Sequence, residues 1–144
     1  MYLPDISLPE KMAFSTNIHI YINDLVGGLH VGNHTLVSYL NEAQMRFLTA
    51  LGFPTLIVDN AITFNNEIAV QYQREARYGD VLTVQAHIDP LEDRQYRIAY
   101  RIQNQHGKTV LTAQMGMVFV DQATGRRCDV PGAFRDAWGQ FTGT

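Results

Sequence analysis

A single cysteine, Cys128, stands in the 144 residues, so no disulfide can close within the chain. No run approaches the roughly 18 consecutive apolar residues that a membrane-crossing helix needs. Basic residues are in the minority: 11 Lys and Arg against 14 Asp and Glu, a formal net charge of −3. A broad basic face for nucleic acid is thereby excluded, although a few arginines suffice to grip one phosphorylated ligand. Charge of either sign is scarce. Charged residues form 17% of the chain, below the usual globular level of about 25%, while hydrophobic residues reach 46%. Such an excess points to surface hidden in a subunit interface or around an apolar ligand. Met1 to Lys11 hold Pro4, Pro9 and acids where a leader needs a charged start and an apolar run. The expectation is a cytoplasmic protein with no membrane span.

Several chemistries are missing too. There is no Gly-x-Ser-x-Gly elbow and no phosphate-cradling glycine loop ending in Lys-Ser/Thr. His30 and His34 have a spacing that can bind zinc on a helix, but His30 precedes the expected helix and no third ligand is near, so no metal is expected. Cys128 sits beside Arg126 and Arg127 without an evident His partner and reads as an inert thiol.

What is present is the pattern of one domain over residues 1–144, with no repeat or linker. The first dozen residues read as an extended arm or one helical turn. Ser15–Ile22 alternates as a strand, with Ile18, Ile20 and Ile22 on one face. A loop with three glycines follows, from Asn23 to Asn33. Asn33 is placed to cap a helix over His34–Leu51, whose stripe is Leu36, Leu40, Ala43, Phe47 and Leu51, widened by Val37, Met45 and Leu48. Gly52 and Pro54 end it.

Four strands are then expected: Ala61–Arg74, with Ile62, Phe64, Ile68, Val70 and Tyr72 as apolar positions; Val81–Ile88; Tyr96–Ile102; and Thr109–Val120. Asp89–Asp93 and Asn104–Gly107 read as turns, and Phe134–Trp138 as a short terminal helix. One long helix and an antiparallel sheet define an α+β domain, with a sheet of about five strands curled around the helix stripe.

The segment Tyr21–Gly52 carries Asp24, then His30-Val31-Gly32-Asn33, then Glu42-Ala43. The second half carries Tyr72-Gln73-Arg74-Glu75-Ala76-Arg77-Tyr78-Gly79-Asp80, then three strands, with Val120-Asp121 and Val130-Pro131 closing. In order and spacing these elements resemble hotdog-fold thioesterases of the 4-hydroxybenzoyl-CoA thioesterase type, over nearly the whole chain. The resemblance implies hydrolysis of an acyl-CoA or acyl-carrier-protein thioester by a homodimer or a dimer of dimers. No cofactor is implied beyond the coenzyme A of the substrate. A carboxylate would attack or activate water, and the amides opening the central helix would hold the oxyanion.

Carried over position by position, Asp24 or Glu42 would be the carboxylate. His30 and Asn33 would orient water or thioester, and Gly32 would let the carbonyl approach backbone amides. Arg74 and Arg77 would meet coenzyme phosphates. The family's usual acid lies four residues before the His, where this chain has Val26. A non-catalytic acyl-CoA-binding relative is therefore the second reading. A dehydratase on the same fold is a third, for which the spacing from Asp24 to His30 is one residue too long.

Overall fold

The period-two apolar runs become strands and the period-three-to-four stripe becomes the long helix. A computed structural model describes residues 3 and 5–143; Met1 and Pro4 of the expected arm lie outside these. The order is β1 (Phe14–His19), a 3-10 turn (Ile22–Asp24), β2 (Leu25–Val26), β3 (His30–Val31), α1 (Asn33–Ala50), β4 (Ile57–Val58), β5 (Ala61–Tyr72), β6 (Val81–Leu91), β7 (Gln95–Gln103), β8 (Thr109–Asp121), β9 (Arg127–Cys128) and α2 (Gly132–Phe141). The main sheet is antiparallel with neighbours in the order β1-β6-β7-β8-β5-β4, and β9 pairs with β8. Five of its strands are long, and β4 and β9 are two-residue additions.

The sheet curls around α1 because the inward positions of β6, β7 and β8 are apolar. Leu82, Val84, Ala86 and Ile88 of β6, Tyr96, Ile98, Tyr100 and Ile102 of β7, and Leu111, Ala113, Met115, Met117 and Phe119 of β8 are buried. They meet Leu36, Tyr39, Leu40, Ala43, Phe47 and Leu48 of α1. Burial of each large side chain contributes roughly 1.5–3 kcal/mol. Leu36, Leu40, Ala43, Phe47 and Leu51 of the expected stripe and the widening Leu48 are buried, with Tyr39 added, whereas Met45 is exposed and Val37 lies only partly buried outside the core cluster. The helix closes through the Phe53 N–H donating to the Leu48 carbonyl.

The boundaries differ at instructive places. Gly32, not Asn33, is the N-cap, and Asn33 is the first helical residue; the cap has no side-chain bond. β1 ends at His19, and Ile22 turns outward in the 3-10 segment, largely exposed. The hydrogen bond from the Tyr21 N–H to the Asp24 carboxylate, 3.0 Å, favours the turn over continued strand. β6 runs through the expected Asp89–Asp93 turn as far as Leu91, with an irregular register after Ile88. β5 stops at Tyr72, because the Gln73 and Arg74 amides both turn to the Val110 carbonyl.

Within β5 the register slips between Asn65 and Glu67. Such a bulge reverses the alternation. Thr63 and Asn65 oppose inward Phe119 and Met117 before it, and Ile68, Val70 and Tyr72 oppose inward Met115, Ala113 and Leu111 after it. The apolar even positions therefore do not share one face: Ile62 and Phe64 point outward. The arm from residue 5 to 13 lies against the sheet without regular structure. It is tied by the Ile6 N–H to Gln71 Oε1 and by Gln114 Nε2 to the Ser7 carbonyl, each 2.9 Å.

Candidate active site

The loop before α1 folds as a narrow hairpin. Leu25 opposes Val31 and Val26 opposes His30, with Gly27 (φ 54°) and Gly28 (φ 141°) making the bend that side chains resist. The hairpin is docked on the stretch after β5: the Val31 N–H donates to the Ala76 carbonyl at 2.7 Å, the Tyr78 N–H to the Leu29 carbonyl at 2.8 Å, and His30 bridges to Arg77. These bonds set the entry to α1 against the end of β5.

The mouth of α1 is left open. The Thr35 and Leu36 amides both donate to the Gly32 carbonyl, whereas the amides of Asn33 and His34 have no partner among the described residues. No acid stands in the first turn, so the positive end of the helix is not neutralised from within it. Gly32 has an ordinary φ of −67°; its lack of a side chain matters for space. A methyl placed there would lie 2.9 Å from Cε1 and 3.1 Å from Nδ1 of His34, and 3.3 Å from Cγ1 of Val26.

The expected residues divide into two groups. His30, Asn33 and Arg74 line one cavity of about 360 Å³, together with Val31, Leu36, Tyr72, Gln73 and Glu75. Arg74 has no ion pair among the described residues, while Arg77 is turned to Glu75 at 3.1 Å and does not line this cavity. Asp24 and Glu42 line a second groove of about 530 Å³ between β1 and the other flank of α1, with Tyr21, Ser38, Tyr39, Met45 and Arg46. There Asp24 Oδ2 accepts from the Tyr39 hydroxyl at 2.7 Å as well as from the Tyr21 amide. Burial, and next the hydrogen bond and charge of Asp24, push the Tyr39 hydroxyl well above its ordinary acidity range. Glu42 is paired with Arg46 at 2.9 Å, and Arg46 also donates to Thr16 and the Asn17 carbonyl on β1. Sequence spacing could not separate these groups, because it gives the side of the helix but not which strand edge faces that side.

One residue lining the cavity, Tyr72, was read from sequence only as an apolar strand position. Tyr72 reaches the Asn33 carbonyl at 3.5 Å, and its place on the inward face depends on the bulge. His34 was weighed only as a metal ligand; among the described residues no group of three His, Cys, Asp or Glu gathers for a metal. A smaller cavity of about 160 Å³ at the β5 bulge, lined by Asn66, Glu67, Glu92, Arg97 and Gln114, holds none of the expected site residues.

A curled antiparallel sheet around one long helix, with an uncapped helix mouth beside a cavity, is the hotdog architecture. The family model of the Thioesterase-like superfamily matches residues 22–138, and the chain belongs to that superfamily. Comparison with curated proteins finds no match. Among solved structures, a Staphylococcus aureus protein in complex with CoA superposes with a TM-score of 0.83 at 17% identity, covering 95% of this chain and 87% of that one. A Thermus thermophilus thioesterase complexed with coenzyme A and Zn gives 0.82 at 20%, covering 94% and 98%. A 1,4-dihydroxy-2-naphthoyl-CoA thioesterase from Synechocystis gives 0.78 at 18%, covering 87% and 94%.

Proposed function

We propose that the protein hydrolyses an acyl-CoA thioester at the mouth of α1, with the acyl carbonyl received by the free amides of Asn33 and His34. That pair of amides beside the cavity of His30, Asn33 and Arg74 is the observation that carries the reading. Preorganised backbone donors at a helix N-terminus stabilise the oxyanion of a tetrahedral intermediate. Arg74, without an acidic partner among the described residues, suits a phosphate of the coenzyme, and the CoA-bound structural relatives support that ligand class. For Asp24 or Glu42 to serve as the carboxylate expected from sequence, Asp24 would have to leave Tyr39 and Tyr21, or Glu42 leave Arg46.

The working unit we propose is a dimer built along β5. Beyond its first two residues this strand has β8 on one side and, among the described residues, no strand on the other. Phe64, Ile68 and Tyr72 are each close to half exposed on it. A long apolar edge strand of this kind is a pairing surface.

The test is thiol release from short, long and aromatic acyl-CoAs. Turnover supports the reading. Arg74→Ala should then raise KM by about tenfold, the scale of one charge-assisted contact, for acyl-CoA but not for the same acyl group on a thiol without phosphates. Saturable binding without turnover would establish the non-catalytic reading instead, which Val26 over Gly32 favours.

A further inference from the structure

The helix mouth has donors for an oxyanion but needs a group to activate water, and the two expected carboxylates line the other groove. Glu75, which does line the cavity, is turned to Arg77. The imidazole of His34 is differently placed. It folds back over Gly32, with Nδ1 and Cε1 at 3.1 and 2.9 Å from the point a methyl on Gly32 would occupy. It therefore lies at the N-terminal end of α1 beside Gly32, whose carbonyl receives the Thr35 and Leu36 amides, and has no hydrogen bond or ion pair among the described residues. Val26 meets the same point from β2, and Val26 opposes His30 in the hairpin register. Val26 thus has one imidazole across the hairpin and another across Gly32. The charged and titratable side chains facing this end of the helix are His30 on β3, with Arg74 and Glu75 after β5.

Resting on the thioesterase reading, we propose that His34 is the general base of the reaction and that Gly32 is glycine to let its ring lie at the helix mouth. The imidazole removes a proton from water as the water oxygen bonds to the acyl carbon. The carbonyl electron pair moves to oxygen, where the Asn33 and His34 amides receive it. On collapse the C–S bond breaks, and the imidazolium returns the proton to the departing thiolate. One water and one thioester give one carboxylic acid and one thiol. Val26, which cannot ionise, leaves the imidazole as the proton acceptor on that side.

The experiment compares kcat, KM and pH profile for wild type, His34→Gln, His34→Ala, Asp24→Asn and Glu42→Gln, with thermal melts to confirm folding. His34 is exposed, so its variants should fold. Expected is a loss of about 10²–10⁴ in kcat for both His34 variants, with KM within a few-fold and the acid limb of the pH profile gone. Added imidazole should partly restore His34→Ala. An active wild type whose His34→Gln keeps its kcat and its limb overturns the inference but leaves the thioesterase reading standing. A dead Asp24→Asn or Glu42→Gln alongside it then identifies the carboxylate. A wild type that hydrolyses no acyl-CoA overturns both.

Discussion

His87 shows how one side chain on the outer part of β6 ties three segments together. Its Nδ1 accepts the Ala13 N–H at 3.1 Å, and its ring meets Trp138 of α2 edge-on, with centroids 4.9 Å apart. Only an unprotonated Nδ1 can accept that bond. Burial holds the imidazole below its ordinary value of 6.5; Asp89 on the same strand opposes the shift and Lys11 in the arm reinforces it. The sign follows from linkage. As pH falls through 6.5 the unfolded chain takes up a proton that the folded chain resists, so this contribution is present above that pH and fades below it. A series of melts from pH 8 to 5 should show Tm falling on the acid side, with a shallower fall in His87→Gln. Equal slopes in the two proteins would remove His87 as the cause. By contrast the Cys128 thiol is pushed upward, chiefly by burial and next by Asp121, which agrees with reading it as unreactive.

Among the elements, α2 has the role least evident from its own pattern. Its Phe134 is fully buried, with ring centroids 5.9 Å from Phe53 (stacked), 4.8 Å from Tyr96 (tilted) and 5.2 Å from Phe119 (edge-on), while Trp138 meets Phe47 of α1 edge-on at 5.8 Å. The helix closes one end of the space between sheet and α1. Phe134→Ala should cost about 3–5 kcal/mol in urea unfolding, with secondary structure retained. A loss below 1 kcal/mol would mean that α2 is an ornament on a core complete without it. The neighbouring Thr63–Tyr96 hydroxyl pair, 2.7 Å apart and buried, lets a polar threonine occupy an inward position of β5.

At the scale of the molecule, one edge of the sheet is unfinished. β5 exposes Ile68 and Tyr72 on the inward face after the bulge and Phe64 on the outward face before it. The low charge fraction noticed in the sequence has a location here, and the dimer proposed above would cover it. Ile68→Arg at the middle of that edge should shift the sedimentation profile from dimer toward monomer at micromolar concentration. The melt should stay cooperative, because Ile68 is not part of the monomer's core. A wild type that sediments as a monomer would refute the β5 dimer outright. An Ile68→Arg protein that stays dimeric would move the interface elsewhere.

The sequence by itself determined the α+β class, the four long strands and the buried stripe of α1. These follow from periodicity, and the period of an apolar pattern is a local property that survives without knowing any partner. The hotdog class came from the family that its motifs resemble in order and spacing. The sequence also pointed to the loop from Asp24 to Asn33 as the candidate site, because the motifs that resemble the family stand there. The division of Asp24 and Glu42 from His30, Asn33 and Arg74 was decided only by the tertiary structure. So were the folding of His34 over Gly32, the exchange of faces at Asn66, and the closing of the core by Phe134. Each depends on which strand lies beside a given helix flank or on one extra residue in a ladder. Such pairings are set by the summed packing of segments distant in sequence, and no single segment encodes them.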